Sequence, residues 1–230
     1  MKSEKIIRSI LAPLGILLAF LAFVFGSFLP LRKAQLFIRA LHSTGEVRTL
    51  NDYINNFDEA LRYYSPIGQS ENTRFLLNQI LQIISEQSGD VSNVLTAYAD
   101  EVMRLDDSSN SRSALNYTQK LSMIGNIYEV NFRNNKKRAD YDTAKAFFEK
   151  GLALSPNRPQ FLYGLLQLYV NSGNASQALP IAEKIHALWP TDGQITAMLP
   201  ELQKAASATP MMIISTSTAT ASSVEINVRH

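Results

Sequence analysis

Hydrophobic positions fall into two regimes along this chain. Residues 10–31 read ILAPLGILLAFLAFVFGSFLPL, 22 positions without a charge. At 1.5 Å per residue, a helix of that length covers a hydrocarbon layer of roughly 30 Å. A helix apolar all round does not suit the surface of a soluble domain. The pattern predicts a transmembrane helix over residues 10–31, behind a short basic tail of residues 1–9. Pro13, Gly15, Gly26 and Pro30 do not oppose this, because neighbouring groups in a membrane helix can satisfy the freed backbone. The alternative is a cleaved signal peptide, since Lys2, Lys5 and Arg8 form a basic n-region. Against it, the apolar run exceeds the usual span of roughly 7–15 residues and no A-x-A-like site follows.

Beyond residue 31 the apolar positions recur with helical spacing, and no stretch sustains the alternation of a strand. Leu36, Phe37, Ala40 and Leu41 form one stripe, and Leu50, Ile54, Phe57, Ala60, Leu61 and Tyr64 a second, with a break expected at residues 43–45. The turn cluster SPIGQSEN, residues 65–72, precedes a helix carrying Phe75, Leu76, Ile80, Ile83 and Ile84. Gly89 is expected to end it, and Asp90 to cap the helix bearing Val94, Leu95, Tyr98, Val102 and Leu105. DDSSNS, residues 106–111, reads as a polar linker before a longer helix with Leu115, Leu121, Ile124, Ile127, Tyr128 and Phe132, which stops in NNKKRAD. Each stripe covers one side only, so the helices must bury their faces against one another. The predicted fold class is all-α, with the transmembrane helix followed by stacked helical hairpins over residues 32–204. Residues 205–230, rich in Ser, Thr and Ala and without a helical stripe, are expected to be a disordered tail, whose apolar run 211–214 could add a strand to a partner or to the domain's own surface.

A period emerges in the second half. Ala144 with Phe148 four residues on, then Pro156, is followed by Ala178 with Ala182, then Pro190; both the Ala pair and the Pro pair are 34 apart. Leu162, Leu165, Leu166 and Tyr169 precede the second set. Small Ala lets paired helices approach, large Leu, Phe and Tyr fill the seam, and Pro stops the second helix. Pro159 falls where a first-turn proline is tolerated, and Gly173 at the turn within the pair. This spacing resembles the tetratricopeptide repeat family. The resemblance is good over residues 141–190 and degenerate upstream, where Phe57 with Ala60, and Leu95, Ala99 and Val102, look like second helices of weaker units. Leu162 stands at the family's Trp position and Leu166 at its Gly position. A further unit from Gly193 meets Pro200, which suits a terminal cap. The resemblance implies an α-solenoid of three to four hairpins, whose concave face commonly holds an extended peptide. On the best unit that face offers Gln160, Tyr163, Gln167, Val170 and Asn171 as partner-binding candidates; Tyr163 serves equally as a packing residue.

Composition removes whole classes of chemistry. There is no cysteine, so disulfides, thiolate metal sites and cysteine nucleophiles are excluded. A net charge of +2, from 22 basic and 20 acidic residues, leaves no electrostatic footprint for nucleic acid. His42, His186 and His230 are far apart and lack ligand spacing, so no metal site is expected. Asp58 with Glu59, Asp106 with Asp107, and Asp140 with Asp142 fall in linkers or first turns, where carboxylates cap helices. No phosphate loop, nucleophile elbow or dinucleotide fingerprint occurs, and no cofactor or catalytic residue is expected. The one concentrated charge is Arg133, Lys136, Lys137 and Arg138, a solvated loop or a candidate anionic-surface contact.

Two functions follow from these features. The first is a membrane-anchored interaction module, no enzyme in its own right, that scaffolds protein contacts at the membrane. The alternative rests on a second resemblance. A final membrane helix, a helix pair, the stretch SPIGQSENTRFLLNQIL (residues 65–81) and degenerate repeats are together similar to the C-terminal region of bacterial O-antigen ligase or polymerase-type membrane proteins. That resemblance implies a glycan-transferase tail lacking the catalytic membrane part, with a polytopic membrane protein as partner. A free-standing soluble enzyme has no residue constellation behind it. For orientation, Lys2, Lys5 and Arg8 nearly balance Arg32, Lys33 and Arg39 across the span. The short basic tail favours the cytoplasm, which makes this a single-pass membrane protein with residues 32–230 extracytoplasmic.

Overall fold

The computed structural model describes residues 2–43, 49–107 and 114–208. The expected break at residues 43–45, most of the DDSSNS stretch and the Ser/Thr-rich tail with its 211–214 run lie largely or wholly outside them. Among the described residues every regular element is helical and none is a strand.

The chain opens with α1 (Lys2–Phe23), a π-helical segment (Val24–Phe28) and α2 (Leu29–Ser43). The residues flanking the π-segment, Phe23 and Leu29, keep right-handed helical backbone angles, so the three run on as one helix. A single π-bulge of this kind interrupts the hydrogen-bond ladder without ending the helix. The amphipathic stripe from Leu36 is therefore the continuation of the apolar helix and not a separate element. Proline at residue 30 does not break it: the carbonyl that its missing N–H leaves without a partner lies in the π-segment, where Leu29 N already bonds Val24 O and the regular ladder is interrupted.

Eight further helices follow: α3 (Leu50–Arg62), α4 (Gln69–Glu86), α5 (Asp90–Asp107), α6 (Ala114–Asn135), α7 (Arg138–Leu154), α8 (Pro159–Asn171), α9 (Ala175–Leu188) and α10 (Gly193–Ala208). Polar side chains start several of them. Thr49 Oγ1 accepts from Asp52 N at 3.2 Å, and the Asn174 side chain accepts from Gln177 N at 3.3 Å. Asp192 Oδ1 accepts from Gln194 N and Ile195 N at 2.9 and 3.1 Å. Each satisfies a donor that the first helical turn leaves unpaired. Asp90 is helical from its own residue onward, one position inside the expected cap, and Gly89, at φ +72°, takes the place before it.

Neighbouring helices pair as α2 with α3, α4 with α5, α6 with α7 and α8 with α9, while α6 also packs on α4 and α8, and α10 covers α9. This is the stacking of a helical solenoid. Two cores result, one built from α2 to α6 around Phe57, Leu76, Ile80, Leu95 and Ile127, the other from α6 to α10 around Phe148, Phe161, Leu165 and Ile185. Helix α6 contributes to both.

The 34-residue period is visible in the backbone. Ser155 N donates to Gly151 O at 2.9 Å, and Trp189 N to Ile185 O at 2.8 Å. In the turns that follow, Arg158 N donates to Ser155 O and Asp192 N to Trp189 O, both at 3.1 Å. Ser155 and Trp189 adopt matching angles, φ −148°, ψ 82° and φ −135°, ψ 77°. Pro156 and Pro190 thus begin the same turn in successive units. The turns within the pairs differ. Gly173 takes the positive φ between α8 and α9, whereas between α6 and α7 the non-glycine Lys136 does so, at φ +56°. Ala144, Phe148, Ala178 and Ala182 are all fully buried.

Close approach is achieved by glycines off the family pattern. A Cβ on Gly125 of α6 would stand 2.7 Å from the Phe148 ring, and one on Gly164 of α8 2.5 Å from the same ring. Phe161 lies just as tightly over Gly151.

Three expectations need correction. Asp106 is not in a linker: it belongs to α5, is 1% exposed, and forms an ion pair with Lys120 of α6, itself 2% exposed. Asp140 lies in the first turn of α7 as expected, yet is buried and accepts from Asn131 Nδ2 at 2.8 Å. Pro200 does not interrupt its helix, which runs on to Ala208; the carbonyl it leaves without a partner, on Thr196, belongs to an exposed residue that water can reach.

Substituting Gly164→Ala sets a helix-propensity gain of about 1 kcal/mol against overpacking of about 1–3 kcal/mol, so a net loss is expected in urea melts of the detergent-solubilised chain. Gly193→Ala, with nothing within 4 Å of the new Cβ, should not destabilise in the same melts. Replacing Lys120→Met removes the buried ion-pair partner of Asp106 and should cost about 3–5 kcal/mol, whereas the double variant with Asp106→Leu should recover most of that loss.

Candidate partner-binding surface

Helix α8 starts on Pro159 and packs Phe161, Leu162, Leu165, Leu168 and Tyr169 into the second core. That burial turns Gln160, Tyr163, Gln167, Val170 and Asn171 to the opposite side, at spacings of three, four, three and one that keep them on one helix face. Gln160 and Gln167 are exposed, Val170 is at the edge of exposure, and Tyr163 and Asn171 are half-buried.

These side chains are partly engaged within the domain. Tyr163 donates to Asp192 in the α9–α10 turn, and its ring lies 6.3 Å from that of Trp189. Burial, and then the hydrogen bond to Asp192, push the Tyr163 hydroxyl up to about 12. Gln160 accepts from Arg158 Nε at 3.2 Å, and Gln167 donates to Asn171 at 3.0 Å. Asn171 in turn donates to Glu129 of α6. Tyr163 is therefore both a packing residue and a member of the face.

Glu129 escaped the sequence reading, although a signal was available: it stands 34 residues before Tyr163, the equivalent position of the preceding unit. It is 5% exposed, and burial raises its carboxyl above the usual range, opposed by the Asn171 hydrogen bond and the charges of Arg133 and Lys136. Asp192 and Trp189 were also missed, because only the fold brings the α9–α10 turn against α8. The result is a polar row that passes from Arg133 through Glu129, Asn171 and Gln167 to Tyr163 and Asp192.

The basic cluster divides. Arg133 and Lys136 act electrostatically on Glu129, and the Lys136 ammonium also lies 5.5 Å from the Phe132 ring centre. Lys137 donates to Asn93 Oδ1 at 2.7 Å, and Arg138 pairs with Asp142 at 3.1 Å while stacking 4.6 Å from the Tyr141 ring centre. Arg133 and Lys136 thus adjoin the α8 face, whereas Lys137 and Arg138 brace α7.

Asp58 accepts from Arg62 and from the Tyr98 hydroxyl, both at 3.1 Å. His186 Nδ1 lies 3.4 Å from Thr196 Oγ1, and His42 sits in the last turn of α2. His230 lies outside the described residues. Among the described residues, no three His, Asp or Glu side chains cluster in a metal-binding arrangement.

Residues 137–203 match the family model of the tetratricopeptide repeat. No curated protein and no solved structure matches the chain, and the similarity to O-antigen ligases finds no support in these comparisons. The matched stretch begins at the N-terminal end of α7 and ends inside α10, so it takes in both Pro turns, the three buried alanines Ala144, Ala178 and Ala182, and the α8 face. The 34-residue register repeated in backbone bonds, turn angles and buried side chains agrees with that match, which makes residues 137–203 a stretch of tetratricopeptide-like repeat.

Proposed function

We propose that this chain is a membrane-anchored interaction module without catalysis of its own. In this reading residues 10–31 span the bilayer once, residues 32–204 form the solenoid, and the α8 face with the adjoining part of α6 receives an extended segment of a protein partner. Tetratricopeptide repeats make protein-interaction modules, and the observation that carries the finer reading is the polar row across α6 and α8. It offers side-chain amides at Gln160, Gln167 and Asn171, which can pair with a peptide backbone, and it has a cationic end at Arg133 and Lys136. An extended segment with acidic residues at one end suits that row.

The anchor has independent support. Residues Pro13–Ser43 belong to one helix long and apolar enough to cross a membrane, and its most apolar stretch is wholly unburied. Large side chains such as Ile16, Leu18, Phe20, Phe23 and Phe28 are more than half exposed, an arrangement that water penalises and lipid does not. The helix also runs without an extended segment into the buried residues Leu36, Phe37 and Ala40, which disfavours cleavage after residue 31 and supports a retained anchor over a signal peptide. Lys33 is directed into the domain, which leaves Arg32 and Arg39 exposed on that flank against Lys2, Lys5 and Arg8 on the other. This tilt in basic residues supports a cytoplasmic N-terminus and an extracytoplasmic solenoid.

A photo-crosslinking residue placed at Gln167 of the full-length chain should give a protein adduct in membranes, and the same residue at exposed Gln177 on α9 should not. Combining Tyr163→Ala with Asn171→Ala should weaken capture of that adduct partner about tenfold, or roughly 1.4 kcal/mol. Equal adducts from Gln167 and Gln177 would remove the α8 face from the reading.

A further inference from the structure

The turn between α3 and α4, residues 63–68 with the sequence YYSPIG, exposes Tyr64 to 67% and Ile67 to 61%, the two highest values among large apolar side chains of the described helical domain. Scattered exposed apolar residues need no explanation. These two differ because of where the turn is held.

Three contacts fix it at one height of the long N-terminal helix. Lys33, 3% exposed, donates through Nζ to Tyr63 O at 2.8 Å and to Leu61 O at 3.3 Å. Those carbonyls end α3, where the helix leaves acceptors unpaired and its dipole favours a cation. Gly68, at φ +93°, lies against the Lys33 stem, 4.0 Å separating Lys33 Cδ from the place a Cβ would occupy. Ile67 and Gly68 then face Pro30, Lys33 and Ala34 across a cleft of about 280 Å³. Pro30 and Leu31 close the apolar run, so a turn level with residues 30–34 sits where hydrocarbon gives way to headgroups when residues 10–31 span the bilayer.

The chemistry of the turn suits that depth. A tyrosine with an apolar ring and a polar tip is favoured in the interfacial layer. Ile67 adds a side chain with no polar atom. Ser65 Oγ donates to Ile67 O at 2.7 Å and accepts from Ile67 N at 3.4 Å, so part of the turn's backbone carries its own partners when it leaves water. Continuity with the span also identifies the occupant of the surface, because lipid already surrounds the helix to which the turn is tied.

We propose that residues 64–67 form a second membrane contact, in which Tyr64 and Ile67 enter the lipid–water interface beside the end of the transmembrane helix. Lys33 holds the turn at that depth. With two contacts in place of one, the tilt and rotation of the shared helix in the bilayer are restrained, and the α8 face keeps a defined direction relative to the bilayer.

This proposal rests on the reading of residues 10–31 as a span, and its test separates the two. The chain contains no cysteine, so Leu21→Cys, Ile67→Cys and Gln177→Cys each give one attachment point for an environment-sensitive fluorophore. The labelled full-length chains are reconstituted into phosphatidylcholine vesicles that carry a nitroxide either near the headgroup or at mid-chain. The expected result is strong quenching at Leu21 by the mid-chain nitroxide, and quenching of Ile67 by the shallow one with blue-shifted emission, while Gln177 stays unquenched. Quenching at Leu21 with Ile67 indistinguishable from Gln177 would overturn the second contact and leave the span standing. Absence of quenching at Leu21 would overturn the span, and the interfacial turn with it.

Discussion

The ring of Phe148 lies where three helices come closer than ordinary side chains on all of them would allow. It projects from α7 into room that Gly125 of α6 and Gly164 of α8 leave open, so that both helices approach one edge of a single aromatic ring. The approach of α8 to α6 depends on that contact, since the ring between them has no room for a Cβ on either glycine. The same α6 also sends Ile124 and Ile127 into the first core, and Leu121 and Phe132 into the second. A helix buried on two faces cannot keep a polar side for water. Its polar residues are drawn inside with their partners: Lys120 with Asp106, Asn131 with Asp140, and Glu129 with Asn171. Buried polar groups are tolerable only when so paired, and their pairing makes the arrangement around α6 specific.

A second constraint is the length of the N-terminal helix. Because α1, the π-segment and α2 are continuous, the first hairpin of the solenoid, α2 with α3, is built on the extension of the apolar helix itself. Phe37 meets Phe57 edge-on at 5.5 Å, and Leu36 and Ala40 join the same core. A flexible linker would let the domain sample many orientations. A shared helix does not, so in the proposed anchored arrangement the position of the bilayer and that of the solenoid are coupled through packed side chains.

How much of this could be read from residues alone depended on whether the relevant signal was local. The 34-residue register was legible because Ala144, Phe148, Ala178 and the two Pro turns recur at fixed spacing and serve the same packing each time. The apolar run was legible by composition. The Asp106–Lys120 pair was not, since DDSSNS has the polarity of a linker and its partner is fourteen residues away on the next helix. The joining of the span to the first hairpin was hidden by Pro30 and by the change from an all-round apolar pattern to a one-sided one, which looks like a boundary in sequence and is a change of surroundings along one helix. On the α8 face the five candidate residues followed from the repeat register, but Glu129, Asp192 and Trp189 needed the fold, because each reaches α8 from another element.

The character of the α8 face bears on how a partner would be held. Its exposed groups are amides and a valine, and its aromatic residue, Tyr163, is already tied to Asp192. Interfaces dominated by energy hot spots present free aromatic or arginine anchors in their centre; this row offers hydrogen bonds that must first be taken from water and from one another, as Asn171 is shared between Gln167 and Glu129. Each such exchange yields a small net gain, which argues for modest affinity per peptide. In the proposed anchored arrangement, membrane attachment would compensate for modest affinity, because a partner in the same bilayer would meet the face at an effective concentration set by geometry and not by bulk diffusion. That advantage exists only when both sites can be engaged together, so it depends on the direction the solenoid faces, and therefore on the helix shared by anchor and domain.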